Sequence, residues 1–180
     1  MKIKANNIDI EVEDSAAGQS VDQPAVLLIM GLGMQLVSWP VAFVAALEHA
    51  GFRVIRHDNR DIGLSSKLGH LGKPNILWTT LKMRLGLPVR PPYTLHDMAL
   101  DAVGVLDALG VKKAHIVGVS MGGMIAQRVA LAAPERVISL TSIMSSSGAK
   151  GLPEASPRVI GALMKRPANH SDEAILAHYL

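Results

Sequence analysis

Apolar and polar positions follow two different patterns in the strand-like parts of this chain. Residues 25–30 read AVLLIM, a continuous apolar run typical of a strand buried on both faces. Residues 2–5 and 8–14 instead alternate around the turn-prone pair Asn6-Asn7. The pattern predicts an N-terminal β-hairpin, followed by strands at 25–30, 53–57, 114–119 and 137–144.

Segments with a helical period lie between these strands. The clearest is 94–109, where Thr94 and Asp97 form a capping-box-like pair and Gly110 ends the helix. Further helices are predicted at 39–50 and 121–132. Because strands alternate with helices, we expect an α/β fold with a doubly wound, mostly parallel sheet that carries helices on both faces.

Two segments are less regular. Prolines bracket residues 76–85, which could be helical, and the chain becomes serine-rich after Met144. Short helical candidates follow at 157–165 and 171–179. We therefore expect a core domain over 1–147 and a second unit over 148–180.

Composition excludes several classes of function. The chain has 180 residues, 49% of them hydrophobic and 18% charged, which predicts a globular domain. It has no cysteine, so disulfides, thiolate metal sites and a cysteine nucleophile are excluded. The net charge of +3 is small and the basic residues are scattered, so we expect no nucleic-acid partner.

The N-terminal residues are polar and alternating, without the apolar segment of a secretory signal. No apolar stretch approaches the ~18–20 residues that span a bilayer. We therefore expect a soluble, cytoplasmic protein without a membrane partner.

The strongest chemical motif is G-x-S-x-G at residues 118–122, between a buried strand and an apolar helix. Such a turn would lift the Ser120 hydroxyl above the sheet edge, while Gly118 and Gly122 would let the backbones approach closely. The Met121 amide would lie at a helix N-terminus and favour an oxyanion. The alternative is that Ser120 only caps the helix.

A second oxyanion donor is available after strand 25–30. The turn Met30-Gly31-Leu32 would bring the Leu32 amide to the same sheet edge as Ser120. The alternative is an ordinary strand-to-helix turn. Apolar residues near these turns could line the acyl side of a site, namely Leu32, Met34, Trp39 and Met121.

The same glycine turn allows a rival interpretation as a dinucleotide-binding loop. Its G-x-G continues with Leu36 where that fingerprint wants Gly or Ala, so we expect no cofactor there. The seven histidines form no close metal-ligand pattern, so no metal is expected. His115 would lie at the far end of its strand from Ser120, and His57 is expected to be a hydrogen-bonded structural histidine.

Taken together, the chain resembles the α/β-hydrolase superfamily and, within it, the aclacinomycin-methylesterase-like esterases. The matching stretches are AVLLIMGLGMQLVSWP, RHDNRDIGLSS, YTLHDMALDAVGVLDALGVKKAHIVGVSMGGMIAQ and PERVISLTSIMSSSG. The resemblance implies a cofactor-free serine hydrolase that acts on small carboxylic esters through a Ser120 acyl-enzyme. It also implies that the Leu32 and Met121 amides form the oxyanion hole, with Gly31, Gly118 and Gly122 as motif glycines.

The chain also departs from that family. In the D-x-R-G-x-G-x-S loop Asp61 replaces a glycine, and Asp58 and Arg60 are interpreted as loop-shaping residues. The family's triad Asp and His follow a helical cap. We therefore expect both beyond residue 180, with 148–180 as the start of the cap.

These departures leave several expectations open. The 180 residues alone are expected to be marginally stable and nearly inactive, with an open sheet edge that allows self-association. Two alternatives remain: a cofactor-free haloperoxidase or perhydrolase on the same fold, and a non-catalytic short form that binds or assembles with a partner.

Overall fold

The computed structural model describes residues 1–17, 23–72 and 85–149, together with 78, 79, 81, 82, 151, 152, 156, 158, 159 and 161. The chain divides into two compact units, Met1–Ser147 and Gly148–Leu180. The sheet and Ser120 belong to the first unit. The helix at 76–85 is described only in part, and those at 157–165 and 171–179 lie largely or wholly outside the described residues. The helical cap therefore stays a prediction.

The secondary structure of the first unit alternates as expected. Its strands are β1 (Lys2–Ala5), β2 (Ile8–Asp14), β3 (Ala25–Ile29), β4 (Arg53–His57), β5 (Ala114–Val119) and β6 (Val137–Ile143). Its main helices are α1 (Val41–His49), α2 (Leu95–Ala108) and α3 (Met121–Ala132), with short 3₁₀ turns at Leu36–Ser38, Gly69–Leu71 and Pro134–Arg136.

Within the described residues the strands form one sheet in the order β1-β2-β4-β3-β5-β6. The pairs β4-β3, β3-β5 and β5-β6 are parallel, while β1-β2 and β2-β4 are antiparallel. The hairpin turns at Asn6 and Asn7, whose φ angles of 47° and 66° suit asparagine. The predicted hairpin and mostly parallel sheet are confirmed.

The start of α1 differs from the prediction of a helix over 39–50. Trp39 is extended and Pro40 occupies the N-cap, so the helix begins only at Val41. A residue that precedes proline avoids the α conformation, which explains why the helix cannot begin at Trp39. By contrast α2 begins as predicted, because Thr94 and Asp97 form a complete capping box.

The sheet has a separate apolar core on each face. Successive β3 side chains point to opposite faces, so Leu27 and Ile29 pack with residues of α2 and α3 in the larger core. Val26 and Leu28 pack in the smaller core with Val44 of α1. Helices thus cover both faces, which confirms the doubly wound α/β class and fixes the carboxyl ends of β3 and β5 side by side.

Strand β6 lies at one edge of the sheet and is much more exposed than the central strands. Ile138 and Leu140 are 49% and 40% exposed, whereas every residue of β3 is buried. Among the described residues, β6 pairs with β5 alone. Unpaired edge strands can template association, and self-association at this edge stays a prediction.

Candidate active site

The turn from β5 into α3 places Ser120 in an uncommon backbone conformation. Its φ is 54° and its ψ is −121°, a backbone conformation that residues other than glycine rarely adopt. The backbone nevertheless holds it, because Ser120 N–H donates to Ile143 O at 2.9 Å and Ser120 O accepts from Gly123 N–H at 3.0 Å. The Ser120 side chain is exposed at the carboxyl edge of the sheet.

The two glycines of the G-x-S-x-G motif lie where a side chain has no room. A Cβ on Gly118 would collide with the backbone of Gly122, and one on Gly122 would collide with the carbonyl of Ile29. A Cβ on Gly123 would lie 2.6 Å from that of Ser145. These contacts explain why β5, α3 and β3 approach so closely only with glycine at these positions.

The capping interpretation of Ser120 is wrong. The Ser120 side chain makes no capping hydrogen bond to α3, and an N-cap residue ordinarily has an extended backbone rather than a positive φ. The strained turn therefore presents a hydroxyl that does not serve the helix.

The turn after β3 lies directly against Ser120. Ile29 pairs in register with Gly118, so the two parallel strands end together. A Cβ on Gly31 would lie 3.3 Å from Ser120 Cβ and 3.3 Å from Val119 O, which shows how closely the turns approach. The next residue, Leu32, is 77% exposed. The structure thus brings Gly31, Leu32, Ser120 and Met121 to one place, as the sequence predicts.

The loop after β4 holds the β3 turn by long-range hydrogen bonds. Buried Asn59 donates its Nδ2 to Met30 O at 2.9 Å. Buried Asp58 accepts from the N–H groups of Leu36 at 2.7 Å and Leu64 at 2.9 Å. Asp58 thus shapes its loop as expected, whereas the sequence carried no signal for the contact made by Asn59.

Arg60 and Asp101 anchor the same loop to α2. The Arg60 guanidinium donates to both carboxylate oxygens of Asp101 at 2.7 Å, and both residues are buried. Asn6 adds a hydrogen bond to Asp101 at 2.9 Å. A bidentate pair fixes orientation as well as position, so Arg60 is a loop-shaping residue as predicted.

The described histidines do not reach Ser120 through any hydrogen bond. His115, at the opposite end of β5, has Nδ1 2.8 Å from Ser139 Oγ. His57 is 1% exposed, and neither ring nitrogen has a partner within the described structure. His57 is structural, but the expectation that it is hydrogen-bonded is wrong. Burial lowers its pKa to about 4, although the charges of Asp101 and Asp58 oppose that shift.

A cavity of about 410 Å³ lies beside these turns. Its lining comes from the β3 turn, the loop after β4, the start of α2 and the start of α3, and consists of Leu32, Arg60, Asp61, Ile62, Pro91, Tyr93, Thr94, Leu95, Met98 and Met121. Two of the residues expected to line the acyl side, Leu32 and Met121, belong to this lining. Trp39 does not, because it is 5% exposed and stacks on Phe43 in the smaller core, and Met34 is not part of the lining either.

The β3 turn does not have the geometry of a dinucleotide loop. Such a loop opens directly into a helix whose N-terminus binds the pyrophosphate, but here a 3₁₀ turn and Pro40 separate Gly33 from α1. In the described part of the chain, no group of three potential metal-ligating side chains comes together. None of the helices in the described residues has the length and apolarity needed to cross a membrane.

A family model described as the alpha/beta hydrolase fold matches residues 24–168. The chain therefore belongs to the α/β-hydrolase fold family, which confirms the resemblance that the sequence motifs carry. The strand-turn-helix geometry at Ser120 is the local structure expected of that fold.

Individual relatives are hydrolases by name. Rhodomycin D methylesterase DauP of Streptomyces sp. (strain C5) is 32% identical over 93% of this chain and 56% of its own length. The putative carbamate hydrolase RutD of Variovorax paradoxus (strain S110) is 35% identical over 68% of this chain and 38% of its own length.

A solved hydrolase from Pseudomonas aeruginosa PA01 is similar in structure as well. It gives a TM-score of 0.62 at 26% identity, over 93% of this chain and 54% of that chain. The chain thus spans about half the length of the methylesterase that it matches.

Proposed function

We propose that this chain carries the nucleophile and oxyanion hole of a serine hydrolase that acts on carboxylic esters. The observation that carries the proposal is Ser120, a strained and exposed residue whose hydroxyl does not cap the helix that follows it. Its Oγ would attack the ester carbonyl carbon and form an acyl-enzyme as the alcohol leaves. Water would then release the acid and regenerate the hydroxyl.

The Leu32 and Met121 amides are the proposed oxyanion donors. The carbonyl oxygen gains negative charge as the tetrahedral intermediate forms, and two fixed N–H groups stabilise that charge. The close approach of Gly31 to Ser120 supports this assignment for Leu32, and the position of Met121 as the first residue of α3 supports it for Met121. No metal or organic cofactor enters the proposed reaction.

The general base is proposed to come from sequence beyond residue 180. A serine hydroxyl is a weak nucleophile without a base, and no described histidine is hydrogen-bonded to Ser120. In this fold the triad residues follow in the order Ser, Asp or Glu, then His. The chain spans 56% of the methylesterase relative, which is compatible with an Asp and a His supplied later.

Ester hydrolysis by the protein as its gene encodes it tests the proposal. We expect turnover of small methyl esters and a burst of released alcohol as the acyl-enzyme accumulates. Ser120→Ala should lower kcat by about 10³-fold or more without unfolding the protein. Turnover that survives Ser120→Ala would refute the serine mechanism.

Carbamates belong in the same substrate panel, because one relative is named a putative carbamate hydrolase. Ser120 could attack a carbamate carbonyl by the same route, so the relative kcat/KM values decide the substrate class. Turnover of carbamates alone would retain Ser120 as nucleophile and replace the ester assignment.

A further inference from the structure

The cavity beside Ser120 has a mostly apolar wall. Six of its ten lining residues are apolar, namely Leu32, Ile62, Pro91, Leu95, Met98 and Met121. Its volume of about 410 Å³ falls in the ordinary range for small-molecule sites, roughly 300–1,000 Å³. Since Leu32 and Met121 also flank the proposed nucleophile, a group bound here would lie next to the reacting carbonyl.

The charged groups of the lining are already paired. Arg60 donates to both oxygens of Asp101 and lies 5.0 Å from the centre of the Tyr93 ring. Asp61 accepts from Leu68 N–H at 2.6 Å and from the Tyr93 hydroxyl.

The neutral polar groups are committed in the same way. Burial and, to a smaller extent, the hydrogen bond to Asp61 raise the pKa of Tyr93 to about 12. The Tyr93 hydroxyl therefore stays a neutral donor at ordinary pH. Thr94 Oγ1 donates to Asp97 at 2.7 Å within the capping box. The hydroxyls of Tyr93 and Thr94, like the charged groups of Arg60 and Asp61, are therefore engaged within the wall itself.

A ligand in this cavity would gain apolar contact and find no free counter-ion. A charged group placed there would lose its hydration without a partner, which is unfavourable. We propose that the cavity is a subsite for an uncharged apolar group of the ester, such as an aromatic ring or a branched chain, and that it rejects carboxylates. This inference rests on the proposed function and adds the substrate class. The apolar group could belong to the acyl or the alcohol part.

The test compares kcat/KM values of matched esters with the protein as its gene encodes it. Methyl 3-phenylpropanoate places the apolar group on the acyl side, 2-phenylethyl acetate places it on the alcohol side, and monomethyl succinate carries a carboxylate instead. Methyl acetate supplies the baseline. We expect the kcat/KM of at least one phenyl-bearing ester to exceed that of both monomethyl succinate and methyl acetate by about tenfold or more. The preferred ester then shows whether the cavity binds the acyl or the alcohol part.

Ile62→Trp fills the cavity, because Ile62 belongs to its lining. It should lower kcat/KM for the preferred phenyl-bearing ester by about tenfold, while kcat/KM for methyl acetate changes by less than about threefold. The matched control is Leu64→Trp, two residues along the same loop and 64% exposed, which should leave both values unchanged.

Two results would overturn the subsite while leaving the serine mechanism intact. One is an equal kcat/KM for the phenyl-bearing esters and monomethyl succinate. The other is an equal fold-loss of kcat/KM for all esters in Ile62→Trp. If no ester is turned over, binding of the unreactive ketone 4-phenylbutan-2-one decides the matter. Ketone-induced changes in the amide chemical shifts of Ile62 and Leu95, lost at Leu95 in Ile62→Trp, would support the subsite. If the ketone causes no such changes, the subsite is overturned.

Discussion

The two turns that meet at Ser120 are held by different means. The turn after β5 is fixed by close steric contacts, because Gly118 and Gly122 allow backbone contacts that a Cβ would prevent. The turn after β3 is fixed from a distance, because in the loop after β4 Asp58 accepts a hydrogen bond from Leu36 N–H and Asn59 donates one to Met30 O. The first turn stores strain at Ser120, whereas the second is positioned by buried polar contacts.

This difference separates steric from polar constraints on one site. A close backbone contact admits only glycine, so substitution there should act as an all-or-none disruption. A hydrogen-bonded turn can move by small amounts when a donor is lost, so substitution there should change activity more gradually.

Gly122→Ala should damage the protein most. Its new Cβ would collide with the carbonyl of Ile29, a strand backbone that cannot move without breaking the sheet. We expect a loss of about 3 kcal/mol or more in the free energy of unfolding, measured by chemical denaturation. Gly69→Ala is the matched control, since a Cβ there meets nothing within 4 Å. Equal effects of the two substitutions would contradict the steric account.

Asn59→Leu should act on the β3 turn. It removes the donor to Met30 O inside the protein, which should cost about 1–3 kcal/mol of stability. If the turn shifts, kcat for ester hydrolysis should fall by about tenfold with little change in KM, because Leu32 N–H loses its position. Gln35→Leu, on the exposed part of the same turn, should change neither quantity. An unaltered kcat in Asn59→Leu would show that the position of the β3 turn does not depend on the hydrogen bond from Asn59.

Acid should destabilise the protein through His57, which directly precedes Asp58. Its pKa is lowered from 6.5 to about 4 in the folded state, so the unfolded state binds more protons between these values. Its contribution to stability is fully present above pH 6.5 and is lost as pH falls towards 4. We expect a decrease of about 2 kcal/mol between pH 7 and pH 5. In thermal unfolding across that range, the stability of His57→Phe should depend less steeply on pH. An unchanged slope would show that His57 is not the cause.

Ser120→Gly should give the smallest change and the opposite sign. Glycine adopts a φ of 54° without a steric penalty, so the strain at this turn would be relieved. We expect a gain of about 1 kcal/mol in stability together with loss of hydrolysis. Ser120→Ala removes the same hydroxyl and keeps the strain, so it should not be stabilised to the same extent. If both variants are equally stable, Ser120 is not a strained residue.

The sequence predicted the part of the site that a short local motif marks. Gly118, Ser120 and Gly122 lie within five residues of each other, and the flanking apolar strand and helix reveal the turn. The bond from Asn59 to Met30 spans 29 positions and has no local pattern. The Tyr93–Asp61 contact likewise joins separate segments. The helix start moved to Val41 because of Pro40, and the lack of partners around His57 follows from packing that only the folded sheet defines.

The most direct test is a crystal structure of the protein, as its gene encodes it, after reaction with a fluorophosphonate. We expect a covalent phosphonate on Ser120 Oγ, with its oxygen about 2.7–3.1 Å from both Leu32 N and Met121 N. A phosphonate on another residue, or an oxygen turned away from these two amides, would contradict the claim that the two turns form one active site.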